Sequence, residues 1–221
     1  MRPLAQLLGA VPGAALATAA AVAAALRRTK PLHPLGRIGD GTLVVQPTAA
    51  SGAEVLDEPA EHRVLVRWSR AIGLEADRPD IEGMAIRFTI GGEAADLLFA
   101  TTGDGKIGRH LLVVRSPGAS ATFTTLLPVA TATGSLLLRL QPLGAWTVEP
   151  PTMWSLSWSR VGGEWHPLGT LTIRWRPGDE DVRFDPVAHT LPGTRQYAVV
   201  TTLREPAYVA ARLVRARPRT P

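Results

Sequence analysis

The sequence predicts a mainly β (α+β) protein: eight short antiparallel strands, closed as a barrel or packed as a sandwich, with helix-capable ends. Three observations carry this. From residue 37 onward, β-branched and Leu-rich runs alternate with Gly, Pro and Asp turns. Several runs alternate with a period of two. In Arg63–Ser69, Val64, Val66 and Trp68 share one face, while Leu65, Arg67 and Ser69 share the other. The two ends, by contrast, are Ala-rich or Arg-rich and have no such alternation.

In chain order, Leu4 to Leu26 is uncharged and rich in Ala. It reads as a helix over about residues 14–28 packing on the body, with a membrane anchor as the alternative. Pro12 and Gly13 interrupt the run and count against a span. The predicted strands are Thr42–Gln46, Arg63–Ser69, Met84–Ile90, Asp96–Ala100, His110–Arg115, Ser135–Gln141, Met153–Ser159 and Leu168–Trp175. Beyond residue 176 the chain reads as loop. A last helix-capable stretch covers about 205–215, with Pro206 acceptable in its first turn. The expected organisation is an N-terminal segment, 1–29, followed by a single domain, 30–221.

Composition excludes several chemistries. The chain has no cysteine, so disulfides, thiolate metal sites and Cys nucleophiles are out. That fits a cytoplasmic location, with membrane association through residues 1–29 as the variant. Its five histidines are scattered, with no paired metal-ligand spacing for a zinc centre. "GDGKIG" at 103–108 lacks phosphate-loop spacing and reads as a turn. The formal net charge is +5, concentrated at the two ends. Residues 1–40 carry five Lys or Arg against Asp40, and residues 204–221 carry five Arg against Glu205. Such ends suit an anionic partner or cofactor. No basic stripe interleaved with aromatics supports nucleic-acid binding.

Four stretches in order resemble the haem catalase family. They are "KPLHPLGRIGDGTLVV" (30–45), "VRWSRAIG" (66–73), "RPDIEGMAIRFTIGGEAADLL" (78–98), and a run from "WHPLGTLTIRW" through "RFDPVAHTLPG" to "LREPAY" (165–208). The first is similar to the segment in which a basic residue precedes the distal histidine by three. The second is similar to an Arg-Phe-Ser stretch. The third looks like an acid and Gly before an "A-x-[KR]-F" strand, a Gly turn and Asp-Leu. The last ends in Arg-x-x-x-Tyr, which supplies the haem ligand. The resemblance covers about residues 30–115 and 165–215, on a chain much shorter than ordinary members. It implies an eight-stranded antiparallel barrel that holds haem b.

By this resemblance Tyr208 is the axial ligand of the haem iron, and Arg204, four residues earlier, keeps its phenol ionised. A phenol titrates near 10, and a neighbouring guanidinium favours its charged form. Lys30, Arg67 and Arg215 are the implied partners of the haem propionates. His33 is the implied distal acid/base, with Ser69 holding its second nitrogen. Moving a proton between the two oxygens of a peroxide needs a group of that pKa. Two orientations of Arg67 stay open: inward, where it needs an anion, or outward with Trp68 inward. Thr101 stands where the family has an asparagine that orients peroxide. A threonine offers one hydroxyl and no amide donor pair.

The resulting expectation is a haem-dependent oxidoreductase acting on hydrogen peroxide or an organic hydroperoxide, by peroxidase-type turnover rather than fast dismutation. The alternative is a haem-free barrel of the same fold that binds an apolar small molecule or lipid.

Overall fold

A computed structural model describes residues 35–71, 78–116, 119, 121–144, 146, 149–178 and 182–197. The elements in order are β1 (Leu35–Val45), α1 (Glu54–Asp57), β2 (Ala60–Arg70), β3 (Glu82–Ile90), β4 (Glu93–Thr102), α2 (Gly105–Gly108), β5 (Thr122–Thr124), β6 (Val129–Thr131), β7 (Gly134–Pro142), β8 (Met153–Ser159) and β9 (His166–Trp175). All strand pairs among them are antiparallel. Around the wall the order is β5-β4-β3-β2-β1-β9-β8-β7, and pairing of β5 with β7 closes the ring. β6 adds only a hairpin to β7. The result is a closed eight-stranded barrel in which each strand pairs with its sequence neighbour, and β9 returns to β1.

Local chemistry explains the long hairpins. β3 and β4 are joined by Gly91 and Gly92, with φ of 60° and 87°. Two consecutive positive φ values give the turn whose twist matches the flanking strands. β1 and β2 pair over eleven residues, from Leu35 opposite Arg70 to Val45 opposite Ala60. Their connection is tied by Asp57, whose carboxylate accepts from the Ser51 and Gly52 backbone N–H groups at 2.6 and 2.8 Å.

The period of two decides what fills the barrel. Val64, Val66 and Trp68 of β2 face inward, with Met84, Ile86 and Phe88 of β3 and Leu97 and Phe99 of β4. Leu138 and Leu140, Trp154 and Leu156, and Leu171 and Ile173 complete the far side. Trp154 is fully buried. It meets Phe123 and Trp146 edge-on, at ring centroid distances of 5.3 and 5.1 Å. The interior is therefore a packed core.

Seven of the eight expected strands are present. His110–Arg115 is not one: it makes only isolated bridges, Leu112 with Thr102 and Arg115 with Asp80. The segment is inverted relative to a strand that buries apolar residues. Val113 and Val114 are exposed, while His110 and Arg115 are buried and held through their own polar atoms. His110 Nδ1 lies 2.8 Å from the Leu126 carbonyl, and Arg115 Nη1 donates to Glu82 at 2.8 Å. β5 and β6, of three residues each, were too short to register as alternating runs. Both expected terminal helices, and the segment 1–29, lie outside the described residues. No helix among the described residues is long and apolar enough to cross a membrane.

Candidate functional site

The candidate site is on the outer face of β1 to β4. Directly paired residues of an antiparallel sheet project to the same side, so the registers define rows across the wall. One row is Gly36, Ser69, Gly83 and Ala100. The next is Ile38, Arg67, Ala85 and Leu98. A third, Asp40, Leu65, Arg87 and Asp96, is mostly charged. The first row is made of small side chains with one hydroxyl, and the second adds one cation and Ala85 between the larger Ile38 and Leu98; together they form a shelf. Glycine and alanine are poor strand formers, and glycine inside a strand often marks close approach of a ligand or another backbone. Four strands at about 4.8 Å spacing make the shelf roughly 14 Å wide, which suits a planar macrocycle.

Arg67 points outward and Trp68 inward, so of the two orientations the outward one holds. Its guanidinium lies across β1 above Gly36. A methyl group at position 36 would come within 2.7 Å of Arg67 Nη2 and 2.9 Å of the Trp68 carbonyl. The absent side chain at 36 is what lets the cation lean toward the Ser69 row. Ser69 is nearly buried, and its hydroxyl has no hydrogen-bond partner among the described residues.

Thr101 does not join them. Its side chain faces inward, in register with Phe123. Its single hydroxyl proton is donated to the Val113 carbonyl at 2.8 Å, and the oxygen accepts from the Glu82 backbone N–H at 3.2 Å. With that proton committed, Thr101 has nothing to donate to a ligand. The β4 residue in the Ser69 row is Ala100. Thr101, one residue further along the strand, is thereby turned to the opposite face. Lys30, His33, Arg204, Tyr208 and Arg215 lie outside the described residues.

The charged third row anchors the segment that leads toward residue 204. Asp96 is fully enclosed and accepts from Arg87 Nε and Nη2 at 2.7 and 2.8 Å. It also accepts from the Asp185 backbone N–H at 2.7 Å, and His189 Nδ1 lies 2.9 Å away. The Asp96 N–H donates to the His189 carbonyl at 2.8 Å. Burial alone would raise the Asp96 pKa, but the hydrogen bonds from Arg87, the Asp185 amide and His189 overcome it and hold the carboxyl below its ordinary value. The same bidentate pair raises the Arg87 pKa. Sequence reading had passed over His189 and Arg87; "RFDPVAHTLPG" and "AADLL" carried the signal, but as loop and strand rather than as a clamp.

A group whose folded pKa is depressed contributes stability above its unfolded pKa, and that stability is lost as pH falls through the folded value. Asp96→Asn should therefore flatten the acid limb of the stability profile, below about pH 4. Urea unfolding of both proteins between pH 3 and 7 checks this. The deficit of the variant should be largest near neutrality and shrink toward pH 3.

Two concavities flank the shelf without containing any residue expected from the sequence. One, of about 30 Å³, lies between β4, β7 and the 186–196 segment. The other is an open groove of about 680 Å³ over the outer faces of β1, β2 and β9. Its Arg174 and Arg176 both engage Asp40, at 3.5 and 2.6 Å. The hydrogen bond from Arg176 is the main cause that lowers the Asp40 pKa. This groove reads as a solvated ion-pair surface, where such contacts contribute little. Among the described residues no group of three His, Asp or Glu could hold a metal ion.

No family model and no curated protein matches the chain. Solved structures do. The fold is similar to that of a bacterial catalase, with a TM-score of 0.61 at 12% identity, covering 89% of this chain and 59% of that one. A fungal catalase gives 0.60 at 13% identity, covering 89% and 61%. Catalase A from Saccharomyces cerevisiae gives 0.60 at 11% identity, covering 87% and 63%. The chain spans about three fifths of the length of these catalases. At such identity the likeness is one of fold, and the fold is the catalase-like barrel.

Proposed function

We propose that the shelf on the outer face of β1 to β4 holds haem b, and that the protein is an oxidoreductase acting on hydrogen peroxide or an organic hydroperoxide. The observation that carries this reading is the row of small residues Gly36, Ser69, Gly83 and Ala100, beside a row that brings Arg67 and Ala85 between Ile38 and Leu98. It leaves a half-buried surface with one guanidinium over Gly36 and one hydroxyl, that of Ser69, without a hydrogen-bond partner among the described residues. That set fits a planar group bearing carboxylates: Arg67 meets a propionate, and Gly83, Ala85 and Ala100 allow the ring to approach. Haem, when bound, supplies a redox-active iron.

The chain's own residues then have these tasks. Tyr208 provides the phenolate ligand, and Arg204 keeps it ionised. Lys30 and Arg215 are the further cations for the propionates. His33, two residues before β1 begins, accepts a proton from one peroxide oxygen and returns it to the other. Ser69 holds its second nitrogen. Since Ala100 carries no donor, peroxide is positioned by fewer groups than His33 and an amide would give. That favours peroxidase-type turnover over rapid dismutation.

The test is haem uptake by the purified protein, followed by its Soret absorbance after desalting. The wild type should retain the band. Tyr208→Phe should lose it, and so should Ala100→Trp, which fills the shelf from an outward-facing position without disturbing the core. A protein that stays colourless after supplementation, or an Ala100→Trp variant that keeps a wild-type band, overturns the reading. In the first case the haem-free alternative, an apolar ligand on the same shelf, takes its place.

A further inference from the structure

The Ser69 row continues around the barrel. Ala100 is in register with Thr124 of β5, Thr124 with Arg139 of β7, and Arg139 with Ser157 of β8. Arg139 therefore stands on the outer wall two strands, or roughly 10 Å, past Ala100. It is one of two arginines at the same indole. Arg139 Cζ lies 4.5 Å from the centroid of the Trp165 ring, and Arg109 Cζ lies 4.4 Å from it.

The two cations are treated differently by their surroundings. Arg109 is buried and spends its donors on neutral acceptors: the Gly105 carbonyl at 2.9 Å, Ser159 Oγ at 3.0 Å and the Gly163 carbonyl at 3.0 Å. It fastens the 105–109 and 160–163 segments to the wall. Arg139 makes no hydrogen bond with any described residue, and its Nε is buried without an acceptor. Neither guanidinium has a carboxylate within ion-pair distance among the described residues. Asp104 acts on both only from farther off, and Glu164 on Arg109. Burial lowers the pKa of each, and in Arg139 the repulsion from Arg109 adds to it. An indole face attracts a cation but is not a counter-ion. A guanidinium drawn from water beside another one, with its donors unspent, is a receptor for an anion.

The structure assigns a second ligand site to this wall: a carboxylate or phosphate oxyanion held in the fork of Arg139, with Arg109 behind it and Trp165 as its floor. The planar fork matches either oxyanion through two parallel N–H donors. The site does not depend on haem, because it lies on other strands and uses none of the shelf residues.

Thermal unfolding without added haem tests it, in sodium phosphate and in sodium acetate, against sodium chloride of equal ionic strength. Phosphate at a hundredfold excess over its dissociation constant should raise the melting temperature by roughly 5–10 °C. A rise with acetate as well would mark the source as any oxyanion, and a rise with phosphate alone would mark a phosphate ligand. Arg139→Gln should abolish the rise. In chloride alone it should melt at or above the wild type, because a half-buried cation without a carboxylate partner among the described residues is gone. Arg139→Lys keeps the charge but not the fork and should bind several-fold more weakly. Arg174→Gln, at an exposed arginine elsewhere, should leave the rise intact. Equal shifts in all three salts, or a shift that survives Arg139→Gln, would mean an adventitious ion only and would overturn the proposal.

Discussion

Arg115→Ala should destabilise the protein by about 3–5 kcal/mol, the cost of leaving a buried charge without its partner. Arg115 and Glu82 are both nearly inaccessible at one end of the barrel. Arg115 Nη1 donates to Glu82 Oε1 at 2.8 Å, and its Nε donates to the Ala119 carbonyl at 2.9 Å. Its guanidinium also lies 3.6 Å from the centroid of the Trp146 ring. Trp68 Nε1 approaches the other Glu82 oxygen at 3.4 Å. Without Arg115, Glu82 keeps one weak donor.

The pH dependence gives a second reading of the same variant. Burial raises the Glu82 pKa even with Arg115, Trp68 and Arg70 opposing it. A carboxyl whose folded pKa is raised binds its proton more tightly in the folded state, so its contribution falls as pH rises through that range. Losing Arg115 raises the pKa further. The deficit of Arg115→Ala should therefore be largest at pH 8 and smaller at pH 5, where Glu82 can be protonated. Guanidinium unfolding at both values measures it, and adding Glu82→Gln should recover part of the loss. A deficit under 1 kcal/mol, or one independent of pH, would show that the pair is not the closed unit its geometry describes.

If the shelf holds haem as proposed, Ala100→Asn should raise oxygen release from hydrogen peroxide by about a hundredfold, the usual scale for one well-placed donor. Position 100 faces the shelf, in register with Gly83 and two strands beyond Ser69. An amide there would add a donor on β4 to a surface whose other donors are the Arg67 guanidinium and the Ser69 hydroxyl. The neighbouring substitution should behave differently. Thr101→Asn places a larger polar group among Phe99 and Phe123 and removes the hydroxyl that joins Glu82 N–H to the Val113 carbonyl. It should lower stability without raising oxygen release. If Thr101→Asn is the variant that gains activity, the assignment of faces on β4 is wrong.

That pair also shows how far the sequence could be read. Strand positions were legible because period-two alternation separates two faces, although for "RVLVRWS" it left open whether the face with Arg67 or the face with Trp68 points inward. The number of such runs left a barrel or a sandwich open, and the resemblance to the catalase family pointed to the barrel. The exact residue on β4 was not legible. "DLLFATTG" places Ala100 and the two threonines side by side, and an alignment by motif cannot tell odd from even. Only the register with Gly83 and Ser69 does. His110–Arg115 was misread for a related reason: its apolar residues look like a strand, yet its buried members are the polar ones. The clamp of Arg87, Asp96 and His189 was invisible because His189 lies 93 residues beyond Asp96, although Arg87 is only nine away. No local pattern encodes that distance. Arg139 was equally hidden, since an arginine on an alternating strand ordinarily marks a solvated face.

One topological feature reaches beyond the site itself. Around the ring, strand partners are adjacent in sequence except at one place, where β1 meets β9 and Gly39 lies opposite Trp175. Forming that pair requires closing a loop of more than a hundred residues, so its entropy cost is met after the local hairpins exist. The shelf on β1 to β4 needs only the early hairpins. The run after residue 176, which leads toward Tyr208, is brought beside the start of β1 by the late pair, where Arg176 N–H donates to the Ile38 carbonyl at 2.8 Å. On the proposed haem reading, ligand competence would be a property of the finished chain: a molecule still being made, or one cut before β9, would expose the platform without the residues proposed to complete it.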